Sequence, residues 1–510
     1  MRRVASSSAP WFAVFALAAP VFAATTLVVV SGPSPFAKCT NAGEPGTVFV
    51  NGEVEPSVAV NPRTVGTASV NVIGTWQQDR WNNGGAHGLV AGASFDGGGT
   101  WTETPLPFSA CAPNAIVDPF TGAPYYRASD PWVSIGPDGR AYAVGLLATN
   151  TTLANAGVND TGVAAATSTD GGRSWHNPRL IKADQGTSPV FEVTQFFNDK
   201  ESVTADPLHA GVAYVVWDRL QGPSQSPDAA LHSHAFRGPV WFSKTIDGGT
   251  TWSTPGPIFD PGQNSQTIGN IVVVNPNNGT LYDFFADFQT TGSPNFIPRG
   301  ISIGLVSSTD GGATWSGPTT VSSEQVANDV DPNTGAQLRT SEELPFVAID
   351  PHTGQLYVVW EDARFTGSVN QIVFSTSTNG GKTWSRPVAI SKSPTNRPAF
   401  TPSIAVRSDG TVGVTYYDVR TLANGVTNVL PTDVWLTTSP AGGGNFGSET
   451  HVAGSFDMFA APDAGGFFVG DYEGLAVNGA SFLPFFVQTN CAQATKGCAK
   501  NPTDVYAGTF

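Results

Sequence analysis

Ser308-Thr-Asp310-Gly-Gly312-Ala-Thr-Trp315 is one of five closely similar phrases in this chain. The others are Ser94-Phe-Asp96-Gly-Gly98-Gly-Thr-Trp101, Ser168-Thr-Asp170-Gly-Gly172-Arg-Ser-Trp175, Thr245-Ile-Asp247-Gly-Gly249-Thr-Thr-Trp252 and Ser377-Thr-Asn379-Gly-Gly381-Lys-Thr-Trp384. A worn sixth copy keeps the spacing at Ser439, Ala441, Gly443 and Phe446. The copies recur about every 60 to 80 residues, the period of a repeat architecture. Their chemistry is that of a hairpin turn. Gly supplies positive φ, Asp and Ser/Thr side chains bond to turn backbone, and Trp covers the turn as the next strand begins. Asp96, Asp170, Asp247, Asp310 and Asn379 are therefore read as structural.

Between these phrases lies a second repeated unit, a β-hairpin. Its clearest copies are Leu344-Pro-Phe-Val-Ala-Ile-Asp350 leading to Leu356-Tyr-Val-Val-Trp360, and Pro402-Ser-Ile-Ala-Val406 leading to Val412-Gly-Val-Thr-Tyr416. Others run from Pro56 to Trp76, Pro131 to Leu147, Ser202 to Trp217, Ile271 to Phe285 and Tyr472 to Val487. One hairpin plus one strand–turn–strand gives four antiparallel strands per period. Such a sheet cannot bury both faces alone, so copies stack radially into a β-propeller. Seven hairpins favour seven blades, with six as the alternative count. Asp504-Val-Tyr-Ala-Gly-Thr-Phe510 supplies the third strand of the last blade, and residues 48–51 are expected to supply its fourth.

Composition agrees with an all-β reading. The 510 residues include 57 Gly and 39 Pro, and only 13% are charged. That favours turns over helices. The 13 Trp, 31 Phe and 10 Tyr supply apolar area for a core, which argues against disorder. A net charge of −15 argues against nucleic-acid or anionic-membrane partners. Residues 1–23 read as a signal peptide, with basic Arg2 and Arg3, an apolar stretch and a small residue, Ala23, at the cleavage point. Residues 24–47 follow as a linker and 48–510 as the propeller. The mature protein is expected to be secreted or periplasmic, without a membrane span, and monomeric.

Export permits disulfides, and four cysteines allow three pairings. Cys491 with Cys498 closes a short loop and leaves Cys39 with Cys111, the preferred arrangement. His232 and His234 form the only close histidine pair, too few for a zinc site. Asp329, Asp331 and Asn333 have calcium-loop spacing, but Gly335 is one place late for an EF-hand, so an acidic turn is preferred. No metal or cofactor is expected.

The phrase Ser-x-Asp-x-Gly-x-x-Trp resembles the Asp-box, or BNR repeat, of the sialidase (neuraminidase) superfamily, over about residues 50 to 510. The resemblance implies a sialidase-like propeller with the boxes at peripheral turns, away from the active site. It also implies a glycoside hydrolase acting on extracellular glycans, possibly exo-acting on sialic-acid-type sugars. Members of that superfamily that bind without catalysis supply the alternative, a glycan- or protein-binding propeller. Sialidases carry a Phe/Tyr-Arg-Ile/Leu-Pro motif on the first inner strand; here the stretch reads Glu53-Val54-Glu55-Pro56-Ser57, without arginine. The loop after Arg80 likewise lacks an Asp at the place where the resemblance implies an acid/base residue.

Candidate site residues cluster where first strands begin and second strands end, positions that share one mouth in a propeller. Arg80, Arg364 and Arg420 each follow an aromatic residue by four positions, and are candidates for an anion-binding triad. The competing reading pairs them with Asp79, Asp362 and Asp418. Arg127, Arg339 and Arg397 are further candidates for substrate binding. Asp130, Glu201, Glu343 and Glu473 are candidate catalytic carboxyls, because carboxylates facing one mouth raise one another's pKa. The resemblance makes Tyr472 the candidate nucleophile, since sialidases use a tyrosine in place of a carboxylate.

Overall fold

A computed structural model of the chain describes residues 27–39, 46–149, 160–185, 195–222, 237–290, 298–447, 449–490 and 502–510. The signal-peptide stretch, the His232/His234 pair and Cys491/Cys498 lie outside the described residues. Within them the chain is all-β. The sole helical turn there is a 3-10 turn at Met458–Ala460, and no helix is long and apolar enough to cross a membrane.

Strands pair in antiparallel runs of four in chain order. Val54–Val60, Val72–Trp81, Ala86–Ser94 and Thr102–Pro105 form the first run. Arg127–Ile135, Ala141–Ala148, Thr161–Ser168 and His176–Asp184 form the second. Later runs begin at Gln195–Ala205, Ser265–Val274, Phe346–Ile349, Ala399–Val406 and Gly474–Asn478. Single contacts such as Ala86 with Ala128 join neighbouring runs. Each first strand packs beside the first strand of the next run, and Gly474–Asn478 lies beside Val54–Val60.

The last run corrects one expectation. Thr503–Ala507 pairs with Ser481–Thr489 as anticipated, but its outer partner is Val28–Val29. Val48–Phe49 instead pairs with Val72–Trp81. The stretch expected to be linker therefore contributes to the sheet. It is fastened by Ser31, whose hydroxyl donates to Asp504 (2.9 Å), by Ser34, which donates to Asp79 (2.7 Å), and by the Cys39–Cys111 disulfide. Phe36 is buried in the same core.

The repeated phrases form the turns their chemistry requires. Ser308 Oγ donates to Asp310 Oδ1 (2.8 Å) and accepts from Gly312 N (2.8 Å), while Thr314 donates from N (2.9 Å) and Oγ1 (2.6 Å) to the carboxylate. These donors hold the Asp310 carboxyl well below its usual range. The same bonds recur at Asp96, Asp170 and Asp247, and Asn379 reproduces them with its amide. Gly312 adopts φ 84°, and a Cβ there would lie 2.5 Å from the Phe242 ring of the preceding run. The turn thus locks one sheet onto the previous one. Between runs, the core is built from the second strands: Trp76, Trp217, Trp360 and Tyr416 are fully buried.

Candidate functional site

The first strands share a device that aims their leading side chains. Register shifts interrupt them at Val54/Ser57, Ser129/Trp132, Asp199/Ser202, Ile268/Ile271 and Phe400/Ser403. Inside each shift sits a residue with left-handed backbone: Glu55 (φ 54°), Asp130 (53°), Lys200 (50°), Gly269 (73°) and Thr401 (47°). Glu342, ahead of Phe346–Ile349, has φ 49°. Such bulges re-aim a side chain, and non-glycine residues held at positive φ cost roughly 1–3 kcal/mol each. The strain falls on charged residues at Glu55, Asp130, Lys200 and Glu342.

Three of these charges meet in one buried network. Lys200 Nζ lies 2.5 Å from Asp471, 3.4 Å from Asp130 and 3.5 Å from Glu55. Arg339 grips Asp471 with two bonds, Nε at 2.9 Å and Nη2 at 2.7 Å, and stacks over Phe468. Burial alone would raise the Asp471 carboxyl, but Arg339 and Lys200 outweigh it and hold the group ionised. Asp130 is likewise held low against burial by Lys200. Glu55 goes the other way, pushed up by burial and by the charge on Asp130.

Asp471 and Lys200 open onto a cavity of about 400 Å³ walled largely by the segment 337–344, which carries Arg339. Glu342 and Glu343 lie on that wall. Burial and the charges of Asp471 and Glu361 push Glu342 up to about 7. Burial and the charge of Glu342 push Glu343 to about 8. Glu342 is partly exposed, whereas Glu343 is 7% exposed. One cavity therefore holds an ionised carboxylate and a carboxyl poised near neutrality. The carboxyl near neutrality suits a general acid, whereas the carboxylate locked by two cations stays charged and is too weak a base to take a proton.

The anticipated residues divide by position. Asp130 stands behind Lys200, and Glu343 lines the cavity. Glu201 and Tyr472 line a small adjoining recess with Trp132, whose ring lies 5.1 Å from that of Tyr472. Glu473 lines a pocket of about 100 Å³ that Trp132 also borders, and burial raises its carboxyl to about 8. The Tyr472 hydroxyl donates to the Pro131 carbonyl at 3.0 Å. Burial, followed by the charges of Glu55, Asp130, Glu201 and Asp471, pushes its pKa well above the usual range, the reverse of an activated nucleophile.

The arginines do not converge on one anion. Arg364 pairs with Asp362 at 2.6 Å, and Arg420 with Asp418 and Glu449, each beside its own second strand. Arg127 donates to Asn83 and Gly84 and stacks on Trp81, while Arg397 donates to Leu422 O and Asn424. Arg80 does not pair with Asp79, which holds Ser34 and His87 instead. It donates to Gln77 at 3.0 Å and lies over Phe468, on the ring that Arg339 also covers. Burial and the neighbouring Arg339 lower its pKa to about 10. Of the six arginines, only Arg339 lines the cavity.

Glu55 is the member the sequence reading missed; Lys200, Glu342 and Asp471 stand out in the sequence as strand-entry residues beside Glu201, Glu343 and Tyr472, but without an assigned role. The signal for Glu55 was the Glu55-Pro56 pattern that it shares with the candidate Asp130 in Asp130-Pro131, ahead of the hairpins. The calcium-spaced residues serve turns. Asp331 Oδ1 caps Asn333 N (3.0 Å), Asn333 donates to Ala423 O and Val426 O, and Asp329 faces Glu361. Among the described residues no group of three His, Cys, Asp or Glu is arranged to hold a metal.

No protein-family model matches the chain, and no curated protein matches it. Among solved structures the chain is similar to the Hadza microbial sialidase Hz136, at 14% identity and a TM-score of 0.43, covering 75% of this chain and 66% of that one. It is also similar to the α-L-arabinofuranosidase Arb93A from Fusarium graminearum, at 16% identity and a TM-score of 0.42, covering 81% and 98%. A third is the intramolecular trans-sialidase from Ruminococcus gnavus, at 14% identity and a TM-score of 0.40, covering 92% and 97%. The solved structures it resembles thus include sialidases and arabinofuranosidases.

Proposed function

We propose that the chain is a seven-bladed β-propeller, closed by Val28–Val29, and a secreted glycoside hydrolase acting at the central cavity. The adjacency of the seven first strands supports the closed ring. The single observation that carries the activity is that Glu342 and Asp471 line the same cavity with pKa values driven apart. Glu342 serves as general acid, protonating the departing glycosidic oxygen; water adds to the anomeric carbon in its place and returns a proton to the Glu342 carboxylate. Asp471, kept ionised by Arg339 and Lys200, faces the positive charge that develops at the sugar ring. Asn328 and Gln337 offer hydrogen-bonding groups for sugar hydroxyls. Tyr472 takes a supporting role through Pro131, rather than that of nucleophile.

The substrate favoured is a neutral glycoside rather than a sialoside. The two cavity cations, Lys200 and Arg339, are both engaged by Asp471, and the chain's negative field repels anions. The engaged Tyr472 hydroxyl also favours the second reading, a propeller that binds glycans without cleaving them. Assaying the purified protein against neutral glycosides and sialosides, with turnover and binding measured together, separates the three. Cleavage of a neutral glycoside is expected. Cleavage of sialosides alone would refute the neutral assignment, and binding without turnover would establish the second reading.

A further inference from the structure

The wall that carries Glu342 is held from behind by a second pair of carboxyls, Asp329 and Glu361. Both are buried, at 2% and 0% exposure. Glu361 lies near the end of the Leu356–Asp362 strand, and Asp329 on the loop ahead of the wall. The Thr340 hydroxyl sits between them, 3.1 Å from Asp329 Oδ2 and 3.1 Å from Glu361 Oε2. Ser341 Oγ donates to Glu361 Oε1 at 2.6 Å, and Thr401 N, from the next run, donates to the same oxygen at 2.8 Å. Asn370 Nδ2 reaches both carboxyls, at 3.2 and 3.3 Å. The Asp329 carbonyl accepts from Leu338 N at 2.9 Å. Residues 338, 340 and 341 are thus tied to this pair immediately before Glu342.

We propose that Asp329 and Glu361 are positioning residues for the cavity, a proton-sharing latch that fixes the Leu338–Glu343 wall and thereby aims Glu342. This rests on the hydrolase reading of the cavity, but the latch itself is a property of the wall. Thr340 Oγ1 and Asn370 Nδ2 each reach both carboxyls, so the two acids lie side by side in a buried site where a shared proton relieves their repulsion. The charged groups facing Glu361 from neighbouring elements are Glu342 and Glu343 on the wall and Glu324 at the end of Thr319–Glu324. All are carboxyls, so loss of the shared proton adds repulsion rather than finding a compensating charge. Burial pushes both members up, Asp329 to about 6. The latch is therefore closed in acid, and rising pH weakens it as the shared proton leaves.

Hydrogen exchange of the wall amides in the full chain tests this without needing turnover. Between about pH 5.5 and about pH 8.5, corrected for intrinsic rates, wall protection should fall about tenfold more than that of the Ala141–Ala148 strand. Glu361→Gln keeps the shape and a donor to Asp329 but cannot titrate, so it should retain protection and shrink the pH difference to what Glu342 and Glu343 themselves contribute. Glu361→Ala should leave the wall unprotected at both pH values; if it fails to fold, Glu361→Gln still decides. A wall that ignores pH in the native protein, or responds identically in Glu361→Gln, overturns the latch. Where a substrate is cleaved, Glu361→Gln should keep the alkaline limb of kcat that Glu342 itself sets, with KM near its native value. Intact exchange behaviour without any turnover would sink the hydrolase reading alone. Failed exchange behaviour with Glu342-dependent turnover would sink the latch alone.

Discussion

Asp471 is the residue on which most of the buried charge depends. It takes two bonds from Arg339 and one contact from Lys200, all within a region shielded from water. Replacing it by Asn strands Arg339 beside a neutral amide and leaves Lys200 with Asp130 as its remaining ionised partner. We expect Asp471→Asn to cost about 3–5 kcal/mol of stability, the usual penalty for stranding one side of a buried ion pair. Urea unfolding measures it, and a cost below about 1 kcal/mol would show that the network is solvated. Tyr472→Phe is a milder change, losing one bond to the Pro131 carbonyl, worth about 0.5–1.5 kcal/mol. Turnover should survive it. Abolished turnover in a folded Tyr472→Phe protein would restore the tyrosine to the role the sequence resemblance gave it.

At the scale of elements, the turns are the strongest link between sequence and structure. Trp315 packs edge-on to Phe242 with ring centroids 5.4 Å apart, and its indole N–H donates to Gly312 O at 3.3 Å. It is half-buried, so Trp315→Ala should cost about 2–3 kcal/mol, less than the ~3–5 kcal/mol of a fully buried aromatic. Thermal or urea unfolding checks this, and ligand affinity per folded molecule should not change. Lost affinity at native stability would mean that the turns take part in recognition. The turns and hairpins were readable because their cause is local: Gly, Asp and Trp act within eight residues of one another. Val28–Val29 was not, because two valines gain a strand identity only from Thr503–Ala507 at the far end of the chain. Arg364 and Arg420 show the same limit at the site. The sequence offered a converging triad or local pairing with Asp362 and Asp418, and only three-dimensional placement chose the second. Glu55 and Glu342 were obscured for a further reason. A carboxylate at a strand start reads equally as a cap, and the bulge that turns it inward leaves no mark on composition.

For the whole molecule, buried carboxyls set the pH response. Glu342, Glu343 and Glu473 have pKa values raised from 4.5 to about 7 or 8, chiefly by burial. Their contribution to stability is complete below 4.5 and is lost as pH rises through 7 to 8. Asp471 and Asp130 are lowered from 3.8, so theirs is present above 3.8 and lost as pH falls further. The melting temperature should therefore peak in acidic buffer, near about pH 4 to 4.5, and fall by a few degrees toward pH 8.5. A melting temperature that climbs between pH 6 and 8.5 would contradict the burial of these acids. The account as a whole stands on the central cavity acting through Glu342. Its most direct test is kcat for Glu342→Gln against the native protein, on a neutral glycoside that the native protein cleaves and at matched folded fraction. The account predicts a loss of about 10²–10⁴-fold with KM little changed, and a smaller loss when the leaving group is an activated phenol that needs no proton. Native turnover by Glu342→Gln, or an equal loss whatever the leaving group, would contradict it.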